Sequence, residues 1–171
     1  MKTLYIVRHA KSSWDHPGLE DYQRPLLEKG KKRTRYIVDY LMENASRPDL
    51  IISSHAVRAN ETAKIIANAL HYPEDEIMIS KNLYFGAPDS FFDIFYDLNN
   101  EVRSLMLVGH NPGFTTFANY FLDKRIDNLP TSGVVCIVFE MDSWEQIHDS
   151  KRKTKFVISP RTIREGNKRN R

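Results

Sequence analysis

The sequence predicts an α/β protein: a three-layer α/β/α sandwich around a mixed, mainly parallel sheet. Three observations point to it. Leu4 to Val7, Leu50 to Ile52 and Leu105 to Val108 are uninterrupted apolar runs, as expected of strands covered on both faces. Between them, apolar residues recur at helical spacing. Strands alternating with such stripes favour crossover connections and a parallel sheet.

The elements follow in order. Leu4 to Val7 forms the first strand and runs into Arg8-His9. Ser12 to Gln23 is polar, contains Pro17-Gly18, and is expected to be a loop at the rim of a site. Tyr36, Ile37, Tyr40 and Leu41 mark a helix over Glu28 to Asn44, with Leu27 standing where a capping side chain is expected. Asp49 to Ser53 is the second strand, and Ala59, Thr62, Ala63, Ile66, Ala67 and Leu70 line one face of the next helix. Ile77 to Ile79 reads as a short strand. Phe91, Ile94, Phe95 and Leu98 give the stripe of a helix introduced by Pro88-Asp89, with Asp89 as its cap. Leu105 to Val108 is a strand ending in Gly109-His110, followed by a helix from Phe114. The last strands are Val134 to Glu140 and Lys155 to Ser159.

A chain of 171 residues, 41% hydrophobic and 27% charged, fits one globular domain, placed at residues 1–160. No apolar run has the length of a membrane span or an export signal, so the expected location is the cytoplasm, with no membrane partner. The lone Cys136 sits in an apolar run and is expected to be buried, which leaves no disulfide framework and no zinc knuckle. Lys151 to Arg171 holds nine of the 25 Lys and Arg residues but only one of the 22 acids. Residues 161–171 are expected to form a flexible, solvated basic tail rather than a nucleic-acid binder.

Function is concentrated at strand ends, where open α/β sheets keep their chemistry. Arg8-His9 leaves the first strand, and an imidazole beside a guanidinium suits attack on a phosphoryl group: the nitrogen bonds phosphorus while the guanidinium forks onto phosphate oxygens. Arg58, in the first turn after the second strand, projects toward the same place, as does His110 after the third. Two neighbouring cations should keep His9 unprotonated near neutral pH.

Four segments together resemble the histidine phosphatase superfamily. They are Arg8-His9, the Ser54-His55-Ala56-Val57-Arg58-Ala59-Asn60-Glu61-Thr62-Ala63 segment, Gly109-His110, and Arg24-Pro25-Leu26 in the loop after the first strand. Within it, Arg8-His9-Ala10-Lys11-Ser12-Ser13-Trp14 and Gly109-His110-Asn111-Pro112-Gly113 are similar to the small SixA-type phosphohistidine phosphatases. The resemblance implies a phosphoglycerate mutase-like fold and catalysis by His9, Arg8, Arg58 and His110, with a phosphohistidine intermediate on His9. It implies no cofactor and no metal. Arg24, Ser54 and His55 are the substrate-binding candidates. Arg24 can be a third guanidinium at the site or a partner of Asp21 that pins the loop.

Relatives that act on sugar phosphates place a Glu before a Tyr-Gly-like turn, whereas Asn82 stands in that approximate place here, leaving Asp89 and Asp93 as candidate acids. An alkoxide leaving group needs that proton far more than an imidazole, which titrates near ~6.5. The expected substrate is therefore a phosphohistidine-bearing signalling protein. The alternatives are a small phosphomonoester, or a phosphate-binding module without turnover.

Overall fold

The computed structural model describes Met1–Arg171. Strand β1 spans Lys2–Arg8, helix α1 Glu28–Asn44, β2 Leu50–Ser53, α2 Val57–Ala69, and β3 Met78–Ile79. Three short helices follow, α3 at Asn82–Phe85, α4 at Pro88–Phe91 and α5 at Asp93–Tyr96. Then come β4 at Ser104–Gly109, α6 at Gly113–Phe121, β5 at Val134–Phe139, β6 at Arg152–Ile158 and α7 at Pro160–Arg169. The sheet order is β3-β2-β4-β1-β5-β6. Strands β3, β2, β4 and β1 run parallel, while β5 and β6 add an antiparallel edge. The predicted mixed, mainly parallel sheet is the one present.

Alternation along β1 divides the core into two layers. Leu4 and Ile6 join Leu105, Leu107 and the phenylalanines of α4, α5 and α6 on one face. Tyr5 and Val7 join Met106, Val108 and the apolar stripes of α1 and α2 on the other. Cys136 is fully buried there, and burial pushes its thiol up to about 12, which makes it inert. No helix is long and apolar enough to cross a membrane.

Three expectations need correction. The helix drawn through Phe91 and Leu98 is two short helices meeting at Phe92. Asp89 is not its cap: Ala87 holds that position with Pro88 following, and no side chain caps the start. The last strand begins three residues earlier than expected, because Arg152 and Lys153 lie on the solvent-facing edge and carry no apolar alternation.

Residues 161–171, expected to be a flexible basic tail, fall mostly in α7. Ser159 and Thr162 cap each other across its start, and Pro160 occupies the first helical position. Its one apolar residue, Ile163, packs on the α1 side of the core. A single apolar contact gives no stripe, which is why periodicity missed the helix.

Candidate active site

Register sets the site. Arg8 pairs with Gly109 and Ser53 with Val108, so β2, β4 and β1 end level with one another and deliver Ser54, His110 and His9 side by side. Two backbone bonds continue this alignment past the strand ends: the His9 N–H donates to Gly109 (3.0 Å) and the Ser54 N–H to Val108 (2.9 Å). From the far side, the Ser132 N–H donates to the carbonyls of both Arg8 and His9 at 3.1 Å.

His9 is buried, and its ring approaches that of His110 to 5.1 Å between centroids. Its Nδ1 lies 2.6 Å from the Ala10 carbonyl, which can only accept, so Nδ1 carries the proton and the lone pair resides on Nε2. Ala10 is held in turn by Thr62, whose fully buried Oγ1 accepts from the Ala10 N–H at 2.9 Å and donates to the Arg58 carbonyl at 2.7 Å. One hydroxyl thus fixes the backbone of both the histidine loop and the arginine turn. Burial lowers the His9 pKa to about 4, with Arg58, Arg8 and Arg24 acting in the same direction against the Ala10 bond. The cations contribute as expected, but desolvation is the larger cause.

Arg8 donates from Nη1 to the Leu129 carbonyl (3.0 Å), and its buried Nε has no protein partner. Asn111 ties the same loop down, donating to Leu129 and Asn128 at 2.9 Å while accepting from Thr115. Arg58 rises from the first turn of α2, 6% exposed, with its Nε likewise unpartnered. His110 Nε2 lies 2.7 Å from Ser54 Oγ, and its buried Nδ1 has no partner. Burial lowers its pKa to about 3, with His9 and Arg58 adding to the effect and Asp21 opposing it. Unpartnered Nε groups on two arginines and a free imidazole nitrogen form a donor set suited to an anion, such as a tetrahedral oxyanion.

A cavity of about 510 Å³ collects Arg8, His9, Arg24, Arg58 and His110, together with Lys11 and Asp21. The structure thus brings together all four predicted catalytic residues. Arg24 fulfils both of its alternatives: it lines the cavity and pairs with Asp21 at 2.9 Å, while bonding Ser13 (2.8 Å) and Ser12 (2.7 Å). The exposed Trp14 covers its guanidinium, 3.3 Å from the ring centroid.

Ser54, a substrate-binding candidate, does not line the cavity. It is wholly buried, accepting from the Ala56 N–H (3.1 Å) while its Oγ meets His110, so it positions that ring instead. His55 does not line the cavity either. It is held in a ring cluster with Tyr22, Tyr84 and Phe85, at centroid distances of 5.4, 4.8 and 5.5 Å. Asp89 and Asp93 also lie outside the cavity, and Asp93 lines a different one together with Asn82.

Sequence reasoning missed the centrality of Asp21. Its carboxylate bonds Arg24 and Arg58, each at 2.9 Å, and accepts from the Tyr84 hydroxyl at 2.5 Å, while its carbonyl accepts from Arg58 at 2.7 Å. Burial acts to raise its pKa, but the bonds from Tyr84, Arg24 and Arg58 outweigh it and hold the carboxyl well below the usual range. The signal available was its place three residues before Arg24. No group of three or more His, Cys, Asp or Glu side chains is arranged to hold a metal ion.

Comparison with known proteins agrees with this geometry. Residues 4–83 match the histidine phosphatase superfamily (branch 1). An uncharacterised chloroplastic protein of Arabidopsis thaliana is 28% identical over 153 residues, covering 85% of this chain and 70% of its own. The structure of a putative phosphohistidine phosphatase SixA from Agrobacterium tumefaciens, 27% identical, superimposes with a TM-score of 0.76 over 93% of this chain and 99% of its own. A protein histidine phosphatase SixA complexed with tungstate, 18% identical, has the same fold with a TM-score of 0.78 over 94% and 99% of the two chains. The first half of the chain thus resembles the histidine phosphatase superfamily, and the whole has the fold of the SixA structures.

Proposed function

We propose that this phosphatase hydrolyses phosphohistidine on a protein, through a phosphohistidine intermediate on His9. The observation that carries the reading is the His9 tautomer. With Nδ1 bonded to Ala10, Nε2 offers its lone pair among Arg8, Arg58 and His110, and the lowered pKa keeps it unprotonated at neutral pH.

Nε2 attacks phosphorus, a new N–P bond forms, and the bond to the substrate ring breaks with its electron pair staying on that nitrogen. Protonated beforehand from water on its other nitrogen, with a pKa of ~6.5, the ring leaves as neutral imidazole. The guanidiniums of Arg8 and Arg58 and the free nitrogen of His110 take up charge on the phosphoryl oxygens in transfer, the work a divalent cation does in other phosphoryl-transfer sites. Water then cleaves the His9 phosphoramidate, releasing inorganic phosphate and restoring the imidazole. The tungstate bound by the SixA relative is consistent with an oxyanion in this cavity.

Substrate class follows from the proton supply. The two carboxylates lining the cavity are Asp15 and Asp21, and Asp21 is held ionised by its arginines. A leaving imidazole tolerates a weak acid, whereas an alkoxide does not. The test is phosphate release from a histidine-phosphorylated domain against a panel of small phosphomonoesters, with a chelator present. Fast release from the domain alone is expected, abolished in His9→Ala. Preference for the esters would move the assignment to a small-molecule phosphatase, and turnover surviving His9→Ala would remove the nucleophile.

A further inference from the structure

Beside the catalytic cavity lies a second one, lined by Arg33 and Tyr36 of α1, Arg161 and Arg164 of α7, Ser159, and Thr131. Thr131 lines both, so the two are neighbours on either side of that residue. No acidic residue lines the second cavity. Arg161 is engaged by Glu165 at 3.0 Å, but Arg33 and Arg164 have no carboxylate partner.

The charge is distributed against helix electrostatics. A helix amino terminus favours acids and disfavours cations. Helix α1 begins with Glu28, which pairs with Lys31, but Lys29, Lys32, Arg33 and Arg35 also crowd its first half, and the first turn of α7 contains no acid. Helix α1 turns acidic farther along, where Asp39 and Glu43 line a separate groove beside Ile163, whereas α7 stays basic to its end at Lys168 and Arg169. The cations at the start of α1 lie at the rim of the catalytic cleft: Leu27, the residue before α1, lines that cleft, and Gly30 packs against the backbone of Lys11.

We propose that the Arg33, Arg161 and Arg164 cavity is a docking site for an acidic segment of the phosphoprotein substrate. This rests on the protein-phosphohistidine reading of the adjoining cleft and adds to it the character of the partner. Adjacency at Thr131 places the arginines within reach of a segment of the same molecule that presents its phosphoryl group to His9. The site acts on association, so it changes KM and its salt dependence and leaves the chemical step alone.

The experiment uses three synthetic phosphohistidine peptides, alike except for a flank of four Glu, four Gln or four Lys, with phosphoramidate as a small control. Wild-type enzyme is expected to favour the Glu peptide over the Gln peptide by about tenfold in kcat/KM at low salt, the advantage shrinking at high salt. The double variant Arg33→Glu/Arg164→Glu is expected to lose that advantage, to gain activity on the Lys peptide, and to turn over phosphoramidate as the wild type does. Turnover of all three peptides without discrimination overturns the docking site alone. Turnover of phosphoramidate with none of the peptides overturns the protein-substrate reading, and the docking site with it. A short single-stranded oligonucleotide that abolishes the Glu advantage in the wild type, and binds the double variant poorly, would assign the cavity to nucleic acid instead.

Discussion

Replacing Thr62 by Val removes one hydroxyl and keeps the shape of the side chain, so it isolates the bond network that joins the His9 loop to the Arg58 turn. Thr62 and Ala10 are both fully buried. In the variant, the Ala10 N–H loses its 2.9 Å acceptor and no water can replace it. A buried donor left unpaired costs about 1–3 kcal/mol. The second bond lost, to the Arg58 carbonyl, costs less, because that carbonyl lies in helix α2 and keeps its backbone partner. The expected loss is about 2–3 kcal/mol, a fall in Tm of roughly 4–12 °C for a chain of this size. Ala10 also accepts from His9, so a shift of its peptide tilts the imidazole, and kcat should fall by about ten- to a hundredfold. Urea denaturation and phosphate release measure the two effects. Thr62→Ser keeps the hydroxyl, so it should stay active and lose only about 1 kcal/mol for the missing methyl. A Val variant as active as the wild type and within about 0.5 kcal/mol of it would refute the argument.

Ser54→Ala should lower kcat about tenfold, because His110 Nε2 and the Ala56 N–H lose their shared partner; an unchanged kcat would mean that the His110 orientation is set elsewhere. Gly30→Ala should lower Tm despite the helix propensity of Ala, since a Cβ there would meet the Lys11 carbonyl oxygen at 2.2 Å; a raised Tm in a melting experiment would contradict this. His9 and His110 are held neutral in the fold, with pKa values lowered to about 4 and about 3 from 6.5. The unfolded chain binds their protons first as pH falls, so their contribution to stability is complete above 6.5 and declines as pH drops from there toward 4. The acid limb of kcat/KM should accordingly lie near 4, and a limb near 6.5 would show an imidazole exposed to water.

The strands were legible because burial on both faces writes them as unbroken apolar runs, and the four catalytic candidates because they sit where those runs stop. What stayed hidden is polar. Helix α7 is held by a Ser159–Thr162 cap and one isoleucine, which no periodic pattern records. Ser54 and Thr62 look like ordinary motif positions, yet their burial makes them supports of His110 and Ala10 rather than substrate contacts. Asp21 joins Arg24 close in sequence and Arg58 far from it, and only the fold brings Tyr84 to the same carboxylate.

Asp21 also bears on the phosphoramidate substrate proposed for this cavity. Three arginines around one imidazole would repel one another and bind phosphate so tightly that product release would suffer. A carboxylate shared by Arg24 and Arg58 offsets part of that charge and fixes both guanidiniums, leaving the Arg58 Nε free. The same bonds that make Asp21 a good brace make it a poor acid, because a proton on it would cost three hydrogen bonds. A leaving group that must take a proton from this site is therefore served badly, and a ring already protonated from water on its other nitrogen departs as imidazole without one from the site. The architecture that stabilises the arginines and the proposed preference for a nitrogen leaving group thus have one origin.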